Sequence, residues 1–313
     1  MSLSQTLQAF EALDSAHASG HTVATLLEGY PGVSVTVTKI TGANGSTDFV
    51  RIVIPGTQGK RAGGSAPTLG IVGRLGGIGA RPGRIGLVSD GDGAVAAVAA
   101  ALKLAHMQAQ GDVLAGDVII GTHICPDAPT RPHEPVDFMD SPVDMKAMNE
   151  QELSAEMDAV LSIDTTKGNR IINHKGFALS PTVKQGYILR MSEDLLRIME
   201  TTTGRPAATF PISLQDITPY DNGVYHVNSI MQPSVATAAP VVGVAITTES
   251  VVPGCGTGAS HEVDIASAAK FAVEVAKEFT QGKCQFFDRD EYALLLKLYG
   301  SLAHLQGEQV AQH

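Results

Sequence analysis

The sequence holds no tryptophan, and aromatic residues make up only 5% of its 313 positions, so any core must be aliphatic. Its three cysteines, Cys125, Cys255 and Cys284, are an odd number at no repeating spacing, which excludes a disulfide framework and a zinc ribbon. Positive charge is scarce: 22 Lys and Arg against 32 Asp and Glu give a net charge of −10. That balance argues against nucleic acid and against an anionic membrane surface as partners. No apolar run reaches bilayer-spanning length. The start, Met1-Ser-Leu-Ser-Gln-Thr-Leu7, lacks a basic region followed by an apolar core, so a cytoplasmic location is expected. Hydrophobic residues, at 43%, give a globular composition.

The stretch Gly86 to Ala105 organises the rest. Ile85, Leu87 and Val88 read as a short buried strand that stops at Asp90 and Asp92, among the glycines Gly91 and Gly93. From Ala94 to Ala105 the composition is that of a helix apolar on most sides, hence a buried one. Upstream, apolar spacing predicts a helix over 3–18, and the runs 33–38 and 49–54 predict a strand, a turn-rich loop and a strand. Further aliphatic strands are expected at 68–72, 117–124, 159–164, 187–190 and 241–246. Helices are expected at 144–158, 192–202, 264–279 and 291–305. Strands alternating with helices imply an α/β three-layer sandwich with a mostly parallel central sheet. A single domain over 1–313 is expected, with an N-terminal helix and hairpin (about 1–56) and a C-terminal helical extension (about 286–313).

Several of these strands end in groups that bind cations. Asp90 and Asp164 close two of them, the loop after a third delivers His261, and a fourth ends at His123 and Asp127. Buried strands ending in carboxylates and imidazole are costly unless something pairs with them. A divalent metal, zinc or manganese, is the economical answer. Lys167 and Arg170, beside Asp164, are placed to receive a substrate carboxylate. Cys125, near His123 and Asp127, offers a different chemistry, that of an activated thiol.

The segment Asp90-Gly-Asp-Gly93-Ala-Val-Ala-Ala-Val98 resembles the bridging-aspartate motif of the co-catalytic zinc aminopeptidases. Asp158 to Asp164 is similar to the strand that supplies their second aspartate, and His261-Glu-Val-Asp264 to their terminal histidine. Gly176 to Tyr187 and Asp221-Asn-Gly223 sit where the glutamyl, or deblocking, aminopeptidases carry substrate-wall loops. More closely, Ile163 to His174, Asp216 to Gly223 and Pro253 to Glu262 resemble an uncharacterised bacterial family catalogued as a domain of unknown function. The aminopeptidase resemblance covers about 68–280 and implies a zinc-exopeptidase-like fold. It also implies a divalent metal on Asp90, Asp164 and His261; the leading reading adds Asp127 to the shell and has Asp127 or Glu134 take the proton from the metal-bound water. Two features depart from it. The place of the first histidine ligand reads Gly70 to Gly79 without His, Asp or Glu, and the Glu-Glu pair has no counterpart near Thr122 to Asp127.

These readings predict a metal-dependent hydrolase of a small amide or short peptide. The competing expectations are a non-catalytic binding protein on the same scaffold and a thiol enzyme using Cys125. A homo-oligomer is expected from the apolar segment 227–242 and the leucine-rich stretch 292–299.

Overall fold

The alternating Val-Thr hairpin and the unbroken aliphatic runs of the sequence join in one sheet in the computed structural model, which describes residues 2–307. The hairpin is β1 (Ser34–Gly42) and β2 (Gly45–Ile54), followed by β3 (Leu69–Gly73) and β4 (Val118–Ile124). Two short strands, β5 (Thr130–Arg131) and β6 (Phe138–Met139), pair only with each other. The rest are β7 (Ala159–Thr165), β8 (Gly176–Leu179), β9 (Val183–Lys184), β10 (Tyr187–Ile188) and β11 (Val241–Thr247). The order is β1-β2-β4-β3-β7-β11-β9-β10, with β8 also on β11. The central strands β4, β3, β7 and β11 are parallel, whereas β2 and β8 run antiparallel to their neighbours. All four central strands are buried along their whole length, which is why their sequences are continuous apolar runs rather than alternating ones.

The helices are α1 (Leu3–Leu13), α2 (Gly20–Leu27), α3 (Asp92–Ala109), α4 (Met145–Glu152), α5 (Glu193–Thr203), α6 (Glu262–Thr280) and α7 (Arg289–Tyr299). One face of the sheet carries α1, α2, α3, α5 and α6 over the larger core. The other face holds Val72, Ile119, Val160 and Ala245 under irregular chain that includes Phe210, Ile217, Ile230 and Met231. The result is a three-layer α/β sandwich, parallel in its centre. Every residue of α3 from Asp92 to Leu102 is buried, because the helix packs on the sheet and is flanked by α1 and α6. Among the described residues no helix is long and apolar enough to cross a membrane.

Five expectations need correction. No strand forms at 85–88: Ile85 is 97% exposed, and Gly86 has a φ of 85°. Pro82, Gly83 and a left-handed Gly86 break any extended pairing. The chain leaves β3 in a long loop and re-enters order through a 3-10 turn at Ser89–Gly91. The first helix stops at Leu13, and α2 follows, opened by a capping box of Ser19 and Thr22. Helix α4 ends at Glu152 and α7 at Tyr299, where Gly300 has a φ of 78°. The apolar segment 227–242 packs on its own chain, with Ile230, Met231, Val235 and Val241 buried.

Candidate active site, a half-compensated acid cluster

The C-terminal ends of β3 and β7 lie side by side, and α3 starts across them. Gly93 permits this crossing, because a β-carbon there would collide with the carbonyl oxygens of Arg74 and Ile163. The start of α3 therefore brings Asp90, in the preceding turn, and Asp92, its first residue, to the strand end that carries Asp164. All three are buried, and the charges of Asp164 and Asp92 both act on Asp90. A fourth acid, Glu152 at the end of α4, is wholly buried and feels the charge of Asp164.

Buried acids are costly unless paired, and two of the four are. Lys167 Nζ donates to Asp92 Oδ2 at 2.6 Å, and the Ser260 hydroxyl donates to Oδ1. Arg74, fully buried, places Nε 3.0 Å from Glu152 Oε2 and donates through Nη2 to the Asn149 side chain. The Nε–H does not point at the carboxylate, so Coulomb attraction rather than an aligned hydrogen bond holds that pair. Asp90 and Asp164 have no cation of their own among the described residues. Asp164 accepts from Ser229 Oγ at 2.8 Å and from its neighbour Thr165 N at 2.7 Å, and Asp90 accepts from the backbone of Gly77.

Burial dominates the electrostatics. It raises Asp90 well above the ordinary carboxylate value, and the charges of Asp164 and Asp92 add to the shift. It raises Asp164 to about 6 against the hydrogen bond of Ser229 and the charge of Arg74. It raises Glu152 to about 7 despite Arg74. The hydroxyls of Thr165 and Thr166, next along the chain, are buried with no partner in the protein, an unsatisfied state that native structures seldom tolerate. Tyr220, on the same loop as Ser229, stacks on His226 with ring centroids 4.4 Å apart, and burial and the Asp164 charge raise its phenol. The Cys255 carbonyl accepts from Asp90 N and Ser89 Oγ, both at 3.1 Å, and fixes the turn that presents Asp90.

Of the residues singled out in the sequence, Asp90 and Asp164 come together. His261 sits exposed just before α6, where its charge acts on Asp92 and Asp264. Asp127 and Glu134 are exposed in the proline-rich segment after β4, and Arg170 is exposed. Lys167 does not reach out to substrate: its ammonium is buried and committed to Asp92. Cys125 is a core thiol that donates to Ser46 O at 3.6 Å, and burial and the Asp127 charge push it up to about 12. A thiol there stays protonated at neutral pH, which removes the basis for a thiolate nucleophile. His123 is buried and neutral, lowered to about 3 by burial and the Arg74 charge. Its Nε2 accepts from Gly76 N at 3.0 Å, so the ring proton sits on Nδ1 and points to Thr47 Oγ1 at 2.9 Å. Both ring nitrogens are used. Arg74, Glu152, Ser229 and Ser260 were not singled out in the sequence.

Among the described residues no three His, Cys, Asp or Glu side chains converge in metal-binding geometry. The donors left without a counter-ion are two carboxylates. Two carboxylate arms suit one hard divalent cation, such as Mn2+ or Mg2+, that keeps water in its other positions. They do not make a four-ligand zinc cage.

The fold is that of the aminopeptidases. Legionella pneumophila LapA aminopeptidase superposes with a TM-score of 0.52 at 12% identity, covering 89% of this chain and 71% of LapA. A variant of tomato leucine aminopeptidase gives 0.50 at 9% identity, covering 87% of this chain and 61% of the tomato protein. The chain thus spans about three fifths of the tomato enzyme's length. The bottromycin maturation enzyme BotP, solved in complex with Mn, gives 0.46 at 11% identity, covering 87% and 71%. Over residues 38–309 the chain matches, and belongs to, the DUF1177 family, described as a protein of unknown function. No curated protein matches the sequence.

Proposed function

We propose that this chain is a divalent-metal-assisted hydrolase of a small amide or short peptide, working where Asp90 meets Asp164. One observation carries the reading: among the described residues these two buried carboxylates lack a counter-ion, while Asp92 and Glu152 beside them each have one. A bound cation supplies carbonyl polarisation and a more acidic water. Lys167 and Ser260 hold Asp92 still, so the turn that presents Asp90 is preorganised. Arg74 holds positive potential beside Asp164. Glu152, raised to about 7, is matched to holding and releasing a proton near neutral pH. The structural neighbours named as aminopeptidases support a peptide bond as the target class.

The test is calorimetric titration of protein purified without tag or chelator with Mn2+, Mg2+ and Zn2+, followed by hydrolysis of a panel of aminoacyl amides and dipeptides. The expected result is one cation per chain, lost in Asp90→Asn and in Asp164→Asn, and metal-dependent turnover. Cation binding without turnover would leave a binding protein on a peptidase scaffold. No binding at all would sink the reading.

A further inference from the structure

We infer that a second pocket, beside the acid cluster, binds a free zwitterionic α-amino acid. The pocket has a volume of about 230 Å³ and lies between the loop after β3 and the proline-rich segment after β4. Its floor is apolar, made by Ala80, Ala128 and Val136, and its rim is charged, made by Arg84, Asp127 and Asp137. None of these three charged side chains has an ion partner within 4.0 Å among the described residues. Opposite charges that border one pocket without pairing offer separate docking points for a cation and an anion. A guanidinium takes a carboxylate through two N–H groups, and a carboxylate takes an ammonium.

The walls are built rather than loose. Arg81, in the loop after β3, donates to Pro126 O at 2.6 Å and so ties the two sides of the pocket together, and it also donates to Asp14 O at 2.9 Å at the end of the first helix. Ala128 N donates to Gly79 O at 2.8 Å, and Ala80 pairs with Asp127. Preorganised walls reduce the entropy lost on binding. The size and the aliphatic floor fit one amino acid with a small branched side chain. The pocket adjoins the acid cluster at Gly256, next to the Cys255 carbonyl that fixes Asp90, yet it shares no side chain with that cluster. The inference therefore goes beyond the hydrolytic reading and does not depend on it.

The experiment is calorimetric titration with L-valine in the presence of chelator, set against N-acetyl-L-valine, which lacks the ammonium, and L-valine methyl ester, which lacks the carboxylate. Valine is expected to bind, and each blocked form to bind about tenfold or more weakly. Arg84→Ala should weaken valine by a similar factor and leave the ester unchanged. Asp137→Asn should weaken valine and leave the N-acetyl form unchanged. Both positions are exposed, so folding should be unaffected, as circular dichroism would verify. Asp90→Asn should bind valine as the native protein does, which separates this site from the proposed metal site. No valine binding, or equal binding of all three ligands, would overturn the inference.

Discussion

Asp90 and Asp92 stand two residues apart on one turn, both buried, and they have opposite electrostatic surroundings. Asp92 has an ammonium at 2.6 Å and a hydroxyl on its other oxygen. Asp90 has a backbone amide and two like charges. The same division runs between Glu152, beside the Arg74 guanidinium, and Asp164, which among the described residues is held by hydrogen bonds and has no cation paired with it. The paired acids serve the fold. The unpaired ones cost stability, and a structure retains such groups where something outside the chain completes them. The division thus separates the carboxylates completed by a cation within the chain from those that are not.

Removing a resident cation should do the most damage. Lys167→Met leaves the buried Asp92 without its cation, and should cost about 3–5 kcal/mol in urea unfolding. Adding Asp92→Asn should restore most of it. If Lys167→Met is harmless, Asp92 is not held as described.

Next in size is the pH dependence of the metal-free protein. Asp164 rises from an ordinary 3.8 to about 6, so the folded state holds its proton more tightly than the unfolded chain does. Its contribution is full below pH 3.8 and is lost as pH rises through about 6. That amounts to about 3 kcal/mol. Glu152, raised from 4.5 to about 7, acts in the same direction. Stability measured in chelator should therefore fall from pH 4 to pH 7, Asp164→Asn should flatten the slope, and Mn2+ should reverse it. A slope of the opposite sign would break the comparison.

Asp90→Asn should do the reverse of Lys167→Met. It removes a like charge and should change metal-free stability by about 1 kcal/mol or less, in the stabilising direction if at all, while abolishing cation binding. Gly77→Ala should have the same functional effect, since its β-carbon would strike Asp90 Oδ2. Smaller still, Cys125→Ser should leave cation binding and turnover unchanged, and any loss of turnover would reopen the thiol mechanism. Leu294→Glu, on the outer face of α7 where Leu298 and Tyr299 are also exposed, should alter monomer stability by about 0.5 kcal/mol or less. Yet it should dissociate the oligomer that we propose this face forms. Sedimentation showing only a 32.6 kDa species for the native protein would remove that proposal.

Asp164 was legible as a strand end on the ligand-binding edge of a parallel sheet, and Asp90 as the residue just before an apolar helix; the helix, not a strand ending at Asp90, brings the two together. The aminopeptidase fold was legible from those motifs, and the family of unknown function from Ile163 to His174, Asp216 to Gly223 and Pro253 to Glu262. The strand assigned to 85–88 was not there, since three apolar residues look alike whether they pair in a sheet or fold into a loop. Gly86 and the Pro82-Gly83 pair were the signals against it. Arg74 was overlooked because its partner Glu152 lies on another element, with no local pattern linking them. The available signal was an arginine placed directly after a wholly buried strand, where an unpaired charge is untenable. Lys167 was read as a free cation for the same reason: its partner Asp92 is on a helix far away in sequence.

Helix α1 is capped by Asp14, whose carbonyl accepts from Arg81 and whose carboxylate accepts from Leu87 N. The loop that delivers Asp90 is therefore latched by a helix that contributes nothing to the acid cluster. Opening α1 at its last turn releases both contacts, so amide exchange of 81–90 should track that of 3–14 as one cooperative unit. The readiness of the site is then set by the local opening equilibrium of the first helix. A substitution confined to the buried side of that helix, such as Leu13→Ala, should quicken exchange at Leu87 without touching any acid.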